Sequence, residues 1–223
     1  MYRYIGYNTR KFPFKDRQVR EAMTYLVDRK NILETLLEGH GEVTTGNFWI
    51  GSEQYNDKLK PREFSPKKAR KLLEKANFKL NESGIYEKDG KELRFTLFIT
   101  SNSPFYANFA SIFREDLRQN GVVMNIRRIQ FSTLIQDHIN KRDFTAFMLG
   151  WGMSVESDPY QLWHSSQIEA PGHNFTGFSV KPMDEIIEKA RVSFNDKIRN
   201  KMYHRFHEII YKHQPYTFLF TPY

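Results

Sequence analysis

The chain has 223 residues, of which 39% are hydrophobic and 15% aromatic; it carries a formal net charge of +8 and no cysteine. That aromatic content speaks against a disordered chain, and the lack of cysteine removes disulfides, thiolate metal sites and a cysteine nucleophile. No stretch has the length and apolarity of a transmembrane helix. The basic excess would suit nucleic acid, but the lysines and arginines of "SPKKARKLLEKANF" interleave with apolar residues on an amphipathic helix. No zinc-finger spacing or aromatic-basic RNA-binding motif accompanies them, so a solvated basic surface is expected and no nucleic-acid partner.

In chain order, "YRYIGYN" alternates and predicts a strand. "FKDRQVREAMTYLVDRKNILETLLEGHG" predicts two helices, the first capped by Asp16, the second closed by the left-handed residue Gly39. "EVTTGNFWIGSEQYND" is expected to be a loop exposing Phe48, Trp49 and Tyr55. In "SPKKARKLLEKANF", Ser65 caps, Pro66 fits the first turn, and Leu72, Leu73 and Ala76 face inward. Asp89-Gly90 turns a hairpin into a strand over Leu93 to Ile99.

Ser103-Pro104 then opens a helix whose stripe is Phe105, Phe109, Ile112, Phe113 and Leu117, Gly121 ends it, and "VVMNIRRI" is a strand. "FSTLIQDHINKRD" and "FTAFMLGW" repeat the helix-strand sequence, so two βαβ crossovers are predicted. Helices from Met183 to Phe194 and Ile198 to His213 follow, then a last strand in "YTFLFTPY". No repeat, low-complexity tract or flexible linker divides residues 1–223, so a single α/β domain is expected. Opening on a strand and ending on one suggests a piece of something larger, its terminal strands pairing with each other or with further chain.

No Gly-x-Ser-x-Gly elbow, phosphate loop, dinucleotide fingerprint or His-Glu-x-x-His motif occurs, so no catalytic residue and no cofactor is assigned. His204, His207 and Glu208 have a spacing that could surround a metal, but with no evident third histidine they read as helix-surface residues and no metal is expected. Glu156 and Asp158 could form an acid/base pair of a hydrolase only at a fixed separation with one pKa raised; otherwise they are loop acids, Asp158 starting a turn at Pro159.

"GWGMSVESDPYQLWHSS", directly after an apolar strand, is the most informative stretch. Strand ends that open into glycine-rich, charged loops are where α/β proteins hold ligands. Gly150 and Gly152 would let backbone and indole approach a solute, with Trp151 as a flat apolar wall. Ser103 and Tyr106 are further candidates where a helix begins, although Ser103 could simply cap. Asn174 is a candidate that could instead hold loop backbone, and Trp163 is expected to be packing.

The order of these features resembles family 5 extracellular solute-binding proteins, the peptide- and nickel-binding components of bacterial ABC importers. Tyr7-Asn8, Pro13-Phe14, Asp16, Val19-Arg20, Ala22 and Asp28-Arg29 match one family stretch in order. "SPKKARKLLEKANF" matches another, with Asn77 where a glycine is usual, and Lys88 to Leu97, "GWGMSVESDPYQLW", "NFTGFSVKPMDEIIEKAR" and "HQPYTFLFTPY" match in turn, over about residues 3 to 223. The resemblance implies a periplasmic-binding-protein-like (type II) fold with a mixed sheet, and a C-terminal lobe that closes on its ligand with an N-terminal lobe. It further implies an extracytoplasmic parent working with a membrane permease, a peptide or similar small solute as ligand, and no enzymatic activity. In peptide-binding relatives an aspartate soon after the tryptophan pairs with the ligand's α-amino group. Here Ser154 is the third residue beyond Trp151, so either Glu156 takes that role or the ligand is not a free-amino peptide; a nickel chelate or other non-peptide solute is the alternative.

Overall fold

The computed structural model describes residues 1–152, 154 and 156–223. The chain begins with β1 (Tyr2–Tyr7), α1 (Arg17–Tyr25), α2 (Arg29–Leu37) and a short β2 (Glu42–Val43). A long loop leads to α3 (Pro66–Lys75) and a meander of β3 (Lys79–Leu80), β4 (Tyr86–Lys88) and β5 (Lys91–Glu92). Next come β6 (Arg94–Thr100), α4 (Pro104–Gln119), β7 (Val123–Ile129) and α5 (Phe131–Thr133), the last running on as a π-helical turn over Leu134–Ile139. β8 (Ala146–Trp151), α6 (Tyr160–Trp163), α7 (Lys181–Arg191), α8 (Asp196–His213), β9 (Tyr216–Phe218) and β10 (Phe220–Thr221) complete the series.

The main sheet has the order β7-β6-β8-β1-β9. β6 pairs in parallel with both β7 and β8, which makes the two expected crossovers. β1 runs antiparallel to β8 and to β9, so the two terminal strands do pair with each other. The mixed sheet flanked by helices is the expected class.

Strand alternation divides the core in two. Ile5, Tyr7, Leu97, Ile99, Ala146 and Met148 point toward α1, α3 and α4, whose buried residues include Val19, Met23, Leu73, Phe109 and Phe113. Tyr2, Tyr4, Phe98, Phe147 and Leu149 point the other way, onto α6, α7 and α8 through Trp163, Met183, Ile187, Phe206 and Ile210. Trp163 is wholly buried, as expected of a packing residue.

The local signals act as the residue types require. Asp16, Ser65 and Ser103 each accept a backbone N–H in the first turn of their helix. Asn77 adopts φ +65°, a left-handed position that asparagine tolerates better than most residues. At the end of α2 the left-handed backbone starts one residue before the expected Gly39, at Glu38 with φ 50°. The π turn was not foreseen; it places Leu134 and Ile139, five residues apart, both in the core.

One expectation is overturned between β2 and α3. Phe48 and Tyr55 are buried and only Trp49 is exposed, because this loop is pinned onto α8 by His207. The Asn56 N–H donates to His207 Nδ1 at 3.2 Å, so the ring carries its proton on Nε2, which faces Thr45 Oγ1 at 3.0 Å. Gly46 sits so close that a Cβ there would lie 2.2 Å from His207 Nε2, which only glycine allows.

Burial depresses the His207 pKa from 6.5 to about 4. Between those two values the unfolded chain binds the proton and the folded chain resists it, so stability falls as pH drops through this window. The loss amounts to about 3 kcal/mol at pH 4 relative to pH 7. His213 acts in the same direction, and Asp116, pushed up to about 6 by burial, acts in the opposite one. Comparison with His207→Gln isolates His207. Urea midpoints at pH 7, 5.5 and 4 should fall more steeply for the wild-type chain than for the variant, and parallel slopes would contradict this role.

Candidate ligand-binding face

Because β6, β7 and β8 are parallel, their C-terminal ends, Thr100, Ile129 and Trp151, lie along one edge of the sheet. β1 runs the other way and brings its N-terminal end to the same edge, with Tyr2 opposite Trp151 and Arg3 opposite Gly150. This is the strand-end edge at which open α/β sheets receive ligands.

On the α4 side of this edge, Ser103 Oγ accepts the Tyr106 N–H at 3.3 Å, so the serine is occupied as a cap. Tyr106 is half-buried, and burial raises its pKa. Its hydroxyl lies 3.5 Å from the point where a Cβ on Gly150 would stand. The phenol thus stands beside the strand end. The guanidinium of Arg3 lies over the neighbouring Phe105 ring, 3.8 Å from its centroid.

Trp151 ends β8 half-buried, resting on the rim of the second core and not inside it. The ring of His173, an exposed residue, meets its indole edge-on at 6.1 Å between centroids. A side chain added at Gly152 would meet open space. Beyond it, residues 153 and 155 lie outside the described residues.

The loop acids are spoken for. Asp158 receives Arg191 Nε at 2.9 Å on one carboxylate oxygen and the Tyr160 N–H at 3.0 Å on the other. Arg191 also lies over the Tyr160 ring at 4.2 Å. Glu156 is more exposed, 3.8 Å from Arg199, which is itself bound to Asp196 at 2.9 Å. The Ser154 hydroxyl donates to the Glu156 carbonyl. Each acid thus has an arginine partner.

The structure also places Asn174 and the α8 histidines, of which His207 is buried and not on the helix surface as expected. Asn174 is wholly buried, and its amide nitrogen donates to the carbonyls of Phe178, Trp163 and His164, the first at 2.8 Å. It braces the turn and offers nothing to a ligand. His204, His207 and Glu208 do not converge either. His204 contacts the Glu53 carbonyl, His207 faces the pinned loop, and Glu208 pairs with Arg205. Among the described residues no group of three or more histidines or carboxylates could hold a metal.

The edge also gathers residues that sequence reading passed over. Gln54 is buried and clasps Ser157 at two points, its Oε1 accepting the Ser157 N–H at 2.8 Å and its Nε2 donating to the Ser157 carbonyl at 3.3 Å. It fastens the loop after Trp151 to the segment that His207 pins on α8. His173, Arg3, Arg191 and Arg199 likewise lie far from Trp151 in sequence or carried no motif. Visible beforehand were the aromatic-glycine pattern around Trp151, the polar and acidic residues that follow it, and Ser103 and Tyr106 at the helix start.

The model of the bacterial extracellular solute-binding proteins, family 5 Middle, matches residues 1–170. The oligopeptide-binding protein AppA of Bacillus subtilis is 33% identical over 99% of this chain and 41% of its own length. Its structure in complex with a nonapeptide superposes with a TM-score of 0.93, covering 99% of this chain and 44% of that one. NikZ of Campylobacter jejuni, solved with Ni(L-His), is 31% identical with a TM-score of 0.89, again over 99% of this chain and 45% of its own. The nickel-binding periplasmic protein of Escherichia coli is 29% identical over 89% of this chain and 38% of its length. The chain therefore spans less than half of each of these relatives, and its mixed α/β architecture is that of the corresponding part of a periplasmic binding protein. On the strength of that match and of the strand-end geometry, it belongs to the family 5 bacterial extracellular solute-binding proteins.

Proposed function

We propose that these 223 residues form the C-terminal lobe of an extracytoplasmic receptor that delivers solute to an ABC importer's membrane permease. An N-terminal lobe would close against the strand-end edge, and the parent would bind without catalysing a reaction. The solute favoured is a peptide. The observation that carries this reading is Trp151, half-buried between two glycines at the meeting of β8 and β1, with Tyr106 at the same strand end on the α4 side. An indole that is supported from behind and bare in front is suited to stacking on backbone and side chains of an extended solute. The complex of AppA with a nonapeptide supports the peptide assignment.

A second reading, a receptor for a metal chelate, is favoured by His173. Its exposed imidazole lies edge-on to Trp151, where a chelate with an open coordination position could use it. The NikZ complex with Ni(L-His) is consistent with that reading. The metal here would be cargo.

Peptide sites bury most of their ligand, and one wall leaves much of it wet. Calorimetric titration of this chain with tri- to nonapeptides should therefore give dissociation constants on the order of millimolar. Trp151→Ala should weaken that binding about tenfold through the lost apolar contact. Nanomolar binding by the lobe alone, or an unchanged affinity in Trp151→Ala, would overturn the peptide wall. Histidine-chelated nickel that perturbs the His173 resonances, where peptides do not, would select the second reading.

Gln54→Ala removes both bonds to Ser157. Amide exchange at Ser157 should then quicken about tenfold or more, each such bond contributing about 1 kcal/mol, while exchange in β1 and β8 stays unchanged. Unaltered exchange at Ser157 would show that the clasp does not hold the loop.

A further inference from the structure

The buried arginines of this chain are each consumed by backbone. Arg20 donates to the carbonyls of Phe14, Lys15, His213 and Gln214. Arg29 donates to those of Phe218 and Arg62, and Arg142 to those of Ile139, Ile168 and Gly172. These contacts tie helices and loops to strand ends, so the guanidinium groups are structural.

Arg62 keeps an unpartnered Nη1 but pairs with Glu21 through Nε at 3.2 Å; Arg3 is the exception. It is half-buried on β1, and its Nη1 is shielded from solvent with no hydrogen-bond partner among the described residues. No carboxylate of the described residues forms an ion pair with it. What holds the side chain in place is the Phe105 ring beneath it, with the Tyr106 ring 6.0 Å away. Stacking fixes the plane of a guanidinium without using its N–H donors.

A shielded donor left unpaired is costly, more so when it carries charge, and native structures keep few of them without a reason. The location supplies one. Arg3 stands opposite Gly150 in the β1–β8 register, one residue from the Trp151 position, and the Tyr106 hydroxyl stands beside the same strand end. The two loop acids are already engaged by Arg191 and Arg199. Arg3 therefore stands at this edge as a cation with no ion-pair partner among the described residues.

We propose that Arg3, stacked on Phe105 and assisted by the Tyr106 hydroxyl, is a carboxylate-binding subsite of the solute wall. The guanidinium fork presents two parallel N–H donors to the two oxygens of a carboxylate. A peptide's C-terminus or acidic side chain carries that group, and so does an amino acid chelating a metal. The assignment deepens the solute-receptor reading and rests on this edge being the wall.

The test is an NMR titration of this chain, following the Trp151 indole resonance. The probes are a tripeptide, the same tripeptide amidated at its C-terminus, histidine-chelated nickel and imidazole-chelated nickel. The free-acid peptide should bind at least about tenfold more tightly than its amide. If the carboxylate comes from a chelate instead, the histidine complex should outbind the imidazole complex by a similar factor. Either preference should vanish in Arg3→Gln. In Arg3→Lys, which keeps the charge and loses the fork, it should be reduced but not abolished; this variant carries the test if Arg3→Gln loses its dispersed amide spectrum. Equal response to carboxylate and non-carboxylate probes, or a preference that survives in Arg3→Gln, would overturn the Arg3 assignment and leave the wall standing. A Trp151 indole that answers to none of the probes would overturn the wall, and the subsite with it.

Discussion

The pairing of β1 with β8 is the constraint on which the rest depends. β8 lies parallel to β6, and β6 to β7, so three C-terminal strand ends share an edge; β1, antiparallel, adds its N-terminal end to them. The register sets Tyr2 against Trp151 and Arg3 against Gly150. A slip of one residue would turn Tyr2 and Tyr4 out of the second core and carry Arg3 into it. That arrangement is resisted by the stacking of Tyr4 on Tyr216, with centroids 4.1 Å apart, and by the burial of both rings. The face proposed to meet solute is therefore specified by the core behind it.

Support for the loop beyond β8 is indirect and layered. α7 and α8 hold its acids through Arg191 and Arg199, and Gln54 grips its backbone. Gln54 belongs to a segment that His207 fastens to α8 through Thr45 and Asn56. The loop proposed to face ligand is thus braced from two sides. This fits a wall whose geometry is set before solute arrives, which lowers the ordering cost of binding.

Much of the fold was legible because the signals were local. Asp16, Ser65 and Ser103 cap wherever their helices pack, and Asp89-Gly90 turns whatever its hairpin faces. The strand-helix-strand order implied parallel pairing before any register was known. Trp151 stood out because glycines beside an aromatic at a strand end are hard to explain by packing alone. The remainder depended on partners far along the chain. Gln54 reads as an ordinary polar loop residue until Ser157 is set beside it, and Phe48 looks exposed until His207 draws its loop down. Asn174 carried two readings, ligand contact and backbone brace, because an amide in either role has the same sequence; its bonds to the Phe178, Trp163 and His164 carbonyls are those of a brace. Arg3 looked like one basic residue among many; its distinction is the absence of the partners that Arg20, Arg29 and Arg142 possess.

The central claim is spatial: solute lies against the strand-end edge where Trp151 meets Tyr2. Isotope-edited NOE spectroscopy of the labelled chain with unlabelled peptide tests it most directly. The account predicts intermolecular NOEs from peptide protons to the Trp151 indole and the Tyr106 ring. NOEs confined to another surface, such as the groove lined by Leu80, Tyr86 and Arg70 between α3 and the β3–β4 hairpin, would contradict it.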